Sequence, residues 1–239
     1  MTLFSKSFLA VAALALAPLS ARAQVTISGS EAQDAAAVAN GLNGTYWQAP
    51  AGSTNEQIGS ALAYIAANQA VGTFSTTEVN YNGVDDSSLA QFLDYYGTNG
   101  SNYSGTTGFQ NSYAGLSDGI LQLTGYLYVG SPGTVTISSN HDDAVQVSIG
   151  GTVVVSAGCC GTTSESVTFT HAGWYALDLT YLNSEYNNFS GQAYVTLSEN
   201  GQIISNADLA TSVVPEPATL ALLAGGLASL SLLRRRARA

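Results

Sequence analysis

Asp142 and Asp143 stand side by side in "NHDDAVQVSIGG", immediately before a run that alternates like a β-strand. Neighbouring side chains of an ideal strand point to opposite faces, so a regular backbone cannot aim both carboxylates at one ion. Convergence requires a distortion. A cis peptide between the two is one solution, at a cost of about 3–4 kcal/mol for a non-proline bond, and it persists only where the surroundings enforce it. A divalent cation would supply such enforcement, because Ca2+ collects about six to eight oxygens from carboxylates, amide and backbone carbonyls and water. The plainer alternative is an aspartate that caps backbone amides in a turn.

The chain has two cysteines, Cys159 and Cys160, and they are adjacent. Consecutive Cα atoms lie about 2.9–3.8 Å apart, below the usual disulfide span of about 4.4–6.8 Å. Three states are open: a strained ring in the loop "SAGCCGTTS", a link to another chain, or free thiols. Zinc is disfavoured, since neighbouring thiolates lack the spaced partners of ordinary zinc sites. "GLSDG", Gly115 to Gly119, formally matches G-x-S-x-G, but that motif works on a strand-turn-helix elbow and a strand follows here. Adjacent aspartates also differ from the facing carboxylates, about 5–9.5 Å apart, of glycoside hydrolysis. No catalytic residue is assigned, and a non-enzyme is expected. His141 and His171 read as surface or packing histidines, since neither has metal-ligand spacing, and Trp174 reads as core. Tyr46, Trp47 and the tyrosines at 95, 96, 103 and 113 are the candidates for stacking on sugar rings, with a polar tip left free.

The elements that would position these residues are mostly strands. From Ile120 onward "ILQLTGYLYV", "GTVTISS", "AVQVSI", "TVVVS", "SESVTFT", "WYALDLTYL" and "QAYVTLS" are short, β-branched or aromatic, and spaced as in an all-β sandwich or barrel. Gly150-Gly151 and Asn200-Gly201 read as tight hairpins. In the N-terminal third, "TNEQIGSALAYIAANQAVG" predicts a helix, with Thr54 and Gln57 in a capping-box pattern and Ile58, Leu62 and Ile65 on one face. A shorter helix is expected over Ser88 to Tyr95 and a third over "SEAQDAAAVANG". "GTFSTTEVNY" reads as one strand, and the Gly/Asn/Ser-rich stretch after Tyr96 as a long loop.

The two ends concern transport. Lys6, the apolar run Phe8 to Leu16 and Ala21-Arg22-Ala23 form a secretory signal pattern, cut before Gln24. At the other end Pro215-Glu216-Pro217 precedes sixteen uncharged residues, Ala218 to Leu233, and then Arg234, Arg235, Arg236 and Arg238. As a helix those sixteen rise about 24 Å, a little short of a full span, and the arginines belong on the cytoplasmic side. All six basic residues of the chain lie in these two ends. Of sixteen acids only Glu216 falls outside Gln24 to Ser212, so fifteen carboxylates share a body with no lysine or arginine. Salt bridges to lysine or arginine are impossible within it. Such a body repels phosphate backbones, which excludes nucleic acid, and it attracts cations.

The order Pro-Glu-Pro, apolar helix, arginine-rich end resembles the PEP-CTERM sorting tail of Gram-negative, exopolysaccharide-producing bacteria. The resemblance implies export by signal peptidase, transient anchoring in the inner membrane through the C-terminal helix, and handling by an exosortase that delivers the protein to the cell surface or matrix. Separately, "GYLYVGSPGTVTISSNHDDAVQVSIGGTVVVSAG" with "HAGWYALDLTYLN", and "GLNGTYW" as an opening strand, resembles the protective-antigen domain of bacterial toxins, glycosidases and yeast adhesins. That likeness implies an all-β, protective-antigen-type sandwich over residues 24–212, with one or two short helices in its N-terminal third, a signal peptide at 1–23 and the sorting tail at 213–239. In the adhesin branch the paired aspartates are cis-linked and hold Ca2+, which coordinates sugar hydroxyls. By that likeness Asp142 and Asp143 are the metal ligands, Asn183 is a candidate amide ligand, and Asn187 and Asn188 are further ligand-site candidates with Tyr46 and Trp47. Ala144 stands where that family usually has glycine. The implied partner is an extracellular polysaccharide or other glycan, and the implied role is Ca2+-dependent adhesion. A purely structural matrix component is the alternative, and a glycoside-processing enzyme a more distant one.

Overall fold

The structure is a computed structural model that describes residues 24–29, 35–50, 52–85, 103–105, 118–184 and 192–215. The expected signal segment, the expected helix over Ser88 to Tyr95 and the residues beyond Pro215 lie outside the described residues. In chain order the elements are β1 (Val25–Ile27), β2 (Ala35–Asn40), β3 (Leu42–Gln48), α1 (Ile58–Ala67), β4 (Gly72–Thr76), β5 (Asn80–Asp85), β6 (Tyr103–Gly105), β7 (Gly119–Val129) and β8 (Gly133–Asp142). They continue with β9 (Ala144–Ile149), β10 (Thr152–Ala157), β11 (Gly161–Phe169), β12 (Gly173–Asn183), β13 (Gln192–Thr196), β14 (Ser198–Glu199), β15 (Gln202–Ile203) and β16 (Leu209–Pro215).

The strands form two sheets. One runs β1-β11-β8-β13-β5 with β14 and β15 at its side; the other runs β10-β9-β12-β7-β3-β4-β6, with β16 on β7 and β2 on β16. The period-2 pattern explains why they stack. In the second sheet Tyr46, Leu121, Tyr181 and Val145 are paired row-mates across four strands, and all four belong to the core. Facing them from the first sheet are Ile137, Val167, Phe169 and Val195. The adjoining positions, Trp47, Ile120, Leu182 and Ala144, form the next row and point outward. They do not reach solvent, because α1 covers them with Ile58, Ala61, Tyr64 and Ile65. A second, smaller core therefore lies directly beside Asp143.

Several expectations are revised by tertiary pairing. Ala35–Asn40 is a strand, not a helix: its alanines favour a helix locally, but β16 pairs along it from Pro215 opposite Ala35 to Ala210 opposite Asn40. β16 itself runs on to Pro215. "GTFSTTEVNY" divides into β4 in the second sheet and β5 in the first. The expected capping box does not form, since Gln57 is the N-cap without a side-chain bond and Thr54 Oγ1 donates to Asp118 Oδ1 at 2.6 Å. On α1 the fully buried residue is Ala61, one position before the expected Leu62. Both hairpins are as expected: Gly150 and Gly151 have φ of 56° and 75°, Asn200 and Gly201 of 51° and 79°, the left-handed values that such turns require.

Candidate cation and ligand site

Three connections between the sheets meet at one end of the sandwich. β8 leaves the first sheet and β9 enters the second through Asp142 and Asp143; β10 returns to β11 through Gly158, Cys159 and Cys160; β12 ends at Asn183 and Ser184. Because β9 is antiparallel to both β10 and β12, its start lies beside the ends of both neighbours. Residues far apart in sequence are thus neighbours here for a topological reason.

The Asp142–Asp143 peptide bond is cis. Asp143 is buried and held from several sides: its N–H donates to the Leu182 carbonyl at 3.2 Å, and its Oδ2 accepts from the Ser184 N–H at 2.6 Å and the Ser184 hydroxyl at 3.3 Å. The Tyr181 hydroxyl donates to the Asp142 carbonyl. His141 is buried, with Nδ1 2.6 Å from the Asp143 carbonyl oxygen. That oxygen only accepts, so Nδ1 carries the proton, and Nε2 is left to accept from Thr163 Oγ1 at 3.4 Å. Burial pushes the His141 pKa below the ordinary imidazole value. This histidine is a buried support of the loop, whereas His171 is exposed. Ala144 places its methyl in the core under α1.

Asp142 is half-buried and differently placed. Desolvation first, and then the Asp143 carboxylate and Glu56, raise its pKa to about 6. Asp143 is also raised, by desolvation first, against the lowering effect of the Ser184 N–H. Cys159 and Cys160 form a vicinal disulfide, with the Cys160 and Cys159 sulfurs 2.8 and 3.7 Å from Asp142 Oδ1. A disulfide has no S–H to donate, so these are contacts and not hydrogen bonds. One ligand-type atom from each of Asp142, Asp143, Cys159 and Cys160 lies within 4.8 Å of the others.

Asn183 is the buried last residue of β12, between the Leu182 carbonyl and the Ser184 N–H that both engage Asp143. Asn187 and Asn188 lie outside the described residues, as do Tyr95, Tyr96, Tyr113, Glu216, Pro217 and the arginines at 234–236. Tyr46 and Trp47 are corrected: they are 0% and 7% exposed and cannot stack on a ligand from solution. Strand alternation sends Tyr46 into the sandwich core and Trp47 under α1, where its Nε1 donates to the Asn68 carbonyl at 3.1 Å. Trp174 is buried as expected, but against Tyr128 on the outer face, with ring centroids 5.1 Å apart. Two neighbours of the site escaped sequence reasoning. Glu56 approaches from the loop before α1 and adds negative charge to both aspartates. Tyr194, partly exposed on β13, pairs in register with Asp142, and desolvation together with both aspartates raises its pKa. Only the helix flank of Glu56 and the strand alternation of Tyr194 were visible beforehand, and neither points to this end of the molecule.

This architecture is a PA14-type β-sandwich. The chain is similar to the PA14 sugar-binding domain from an RTX adhesin, with a TM-score of 0.56 and 24% identity over 73% of this chain and 99% of that one. It is likewise similar to the PA14 domain of the MpAFP antifreeze protein, with a TM-score of 0.56 and 22% identity over 72% and 90%. No curated protein matches it by sequence. Residues 213–236 match the PEP-CTERM protein-sorting motif, so the sandwich is joined to an exosortase sorting signal. No helix among the described residues is long and apolar enough to cross a membrane, and the apolar segment Ala218 to Leu233 lies outside them.

Proposed function

We propose that this protein is delivered to the cell surface or matrix by way of its signal segment (1–23) and sorting tail (213–239), and that residues 24–212 bind glycan through a Ca2+ ion. The observation that supports this reading is the convergence of Asp142 and Asp143 in a body without lysine or arginine. A pair of carboxylates normally finds a guanidinium, an ammonium or backbone donors. Asp143 has its donors in Ser184, whereas Asp142 faces sulfur and two further acids. The donor set fits a hard cation: two carboxylates whose oxygens lie close together, with Asn183, the buried last residue of β12, as the candidate for a third oxygen. The bound ion would offer vacant coordination positions to neighbouring sugar hydroxyls. The protein supplies the rest: Ser184 and His141 hold the loop, and Tyr194 provides a partly exposed ring at its edge, the part first assigned to Tyr46 and Trp47.

The adhesin relative is described as sugar-binding, which supports the same substrate class here. Asp118, the acid of "GLSDG", directs its carboxylate to the Gly52 N–H and the Thr54 hydroxyl, so it holds a loop and is not aimed into a cleft. Isothermal titration of the purified protein with millimolar Ca2+ tests the proposal, since extracellular sites often have dissociation constants of about 0.1–1 mM. Heat that disappears in Asp142→Ala, together with retention on polysaccharide that EDTA abolishes, is the expected result. An absence of heat in both proteins would leave a scaffold without a cation.

A further inference from the structure

A disulfide offers no oxygen to a cation such as Ca2+, and the geometry around the cysteine pair points to a second use. We propose that Asp142, Asp143, Cys159 and Cys160 together form a site for a thiophilic divalent cation of the Zn2+ class, which becomes available when the vicinal disulfide is reduced. The proposal shares its aspartates with the Ca2+ reading but needs no Ca2+ to be bound.

Distance is the first argument. Zinc holds sulfur at about 2.3 Å and carboxylate oxygen at about 2.0–2.2 Å, so two ligands of one ion are at most about 4.6 Å apart. The four donor atoms already lie within 4.8 Å of one another. Reduction frees the two sulfurs to part to about 3.8 Å, the edge of a tetrahedron with bonds of about 2.3 Å, and rotation of the side chains then brings the four donors onto a single ion. Ligand chemistry is the second argument. Adjacent thiolates alone are a poor zinc set because they lack spaced partners. Here the fold supplies those partners from the β8–β9 crossover, seventeen residues before Cys159. Thiolates select Zn2+ and similar ions, and oxygens alone select Ca2+, so the state of one S–S bond decides which class of cation the cluster prefers. Access is the third. Both cysteines are exposed, and a small dithiol can reach them.

The chemistry balances. A dithiol attacks the Cys159–Cys160 bond through a mixed disulfide; that S–S bond breaks, two cysteine thiols form, and the reductant leaves as its own disulfide, two electrons and two protons having passed to the protein. Binding of the cation then releases the two thiol protons.

Co2+ serves as the probe, because thiolate ligation gives it a charge-transfer band in the near ultraviolet. The full chain in detergent is prepared oxidised, and reduced with dithiothreitol followed by desalting under argon. The expected result is no band in the oxidised protein, a stoichiometric band in the reduced protein that Zn2+ removes, and no band in the Cys159→Ser/Cys160→Ser protein. Asp142→Asn should weaken Co2+ binding about tenfold or more, with the far-ultraviolet circular dichroism unchanged. A reduced protein without the band, an oxidised protein with it, or a band indifferent to both Asp142→Asn and Asp143→Asn would overturn the proposal. The last outcome would mean that the cysteines bind alone. Ca2+ titration of the oxidised protein is a separate arm, so failure of either reading is recognised by itself.

Discussion

Two aspartate centres at the same end of the sandwich are solved in opposite ways. Asp118 is fully buried, and its two oxygens accept from the Gly52 N–H and the Thr54 hydroxyl. It ties the loop before α1 to the start of β7. Asp142 is half-buried, touches sulfur and faces Asp143 and Glu56. A buried carboxylate with donors stabilises a fold, while one surrounded by acids and sulfur repels until something positive arrives. The contrast teaches that burial alone does not say whether a carboxylate is free to meet a cation. The partner set does.

The largest effect that sharpens this comparison is expected at the structural centre. Asp118→Ala leaves the half-buried Gly52 amide and the buried Thr54 hydroxyl without their acceptor, at a cost of about 1–3 kcal/mol for the hydroxyl and less for the amide. For a domain of this size that lowers Tm by roughly 5–15 °C, and a thermal melt should show the same loss with or without Ca2+. Asp142→Ala should behave in the reverse manner. At neutral pH its ion-free melt lies at or above wild type, since the repulsion is relieved, but the gain from about 10 mM Ca2+, expected at about 1.4–2.7 kcal/mol for a dissociation constant of about 0.1–1 mM, vanishes. Equal losses in both variants would dissolve the distinction.

Smaller is the effect expected of Tyr194→Ala, which removes the ring beside Asp142 without removing a cation ligand. Glycan affinity should fall about fivefold, corresponding to about 1 kcal/mol of stacking, while Ca2+ heats are unchanged. The finest test is pH. The folded pKa of Asp142, about 6, exceeds its unfolded value near 4, so in ion-free protein its contribution to stability is present in full below about 4 and is lost as pH rises through about 6. Ca2+ needs the ionised pair, so its stabilising increment should grow over that same interval. His141 works in the opposite sense, because its lowered pKa favours folding above the ordinary histidine range and loses that contribution as pH falls. Melts of wild type and Asp142→Asn from pH 4 to 8, each with and without Ca2+, separate the two; an increment that does not vary with pH would exclude Asp142 from the cation site.

Much of the sandwich was legible because its cause is local. In β7, β9 and β12 the alternation of apolar side chains is written residue by residue, and Gly150-Gly151 needs only its own backbone freedom to turn. The misreadings came from forces that act between distant segments. Ala35–Asn40 is helical by propensity and a strand by pairing with β16. Thr54 is an N-cap by spacing, yet Asp118, sixty-four residues away, takes its hydroxyl. Tyr46 and Trp47 look like ligand platforms until strand alternation and the cover of α1 bury both. At the site itself the Asp142-Asp143 pair announced itself by type and adjacency, whereas nothing near Glu56 or Tyr194 in the chain says that they face it.

The sequence by itself determined the charge, the address and the chemical vocabulary of this protein: fifteen acids with no lysine or arginine among residues 24–212, a sorting tail, paired aspartates and paired cysteines. Those are properties of composition and of adjacency along the chain, and they need no fold. Only the tertiary structure decided that the aspartates and the cysteines are one cluster. Three sheet crossovers end side by side because their strands are antiparallel neighbours, and a contact between residues seventeen positions apart exists only once long-range pairing has brought their ends together.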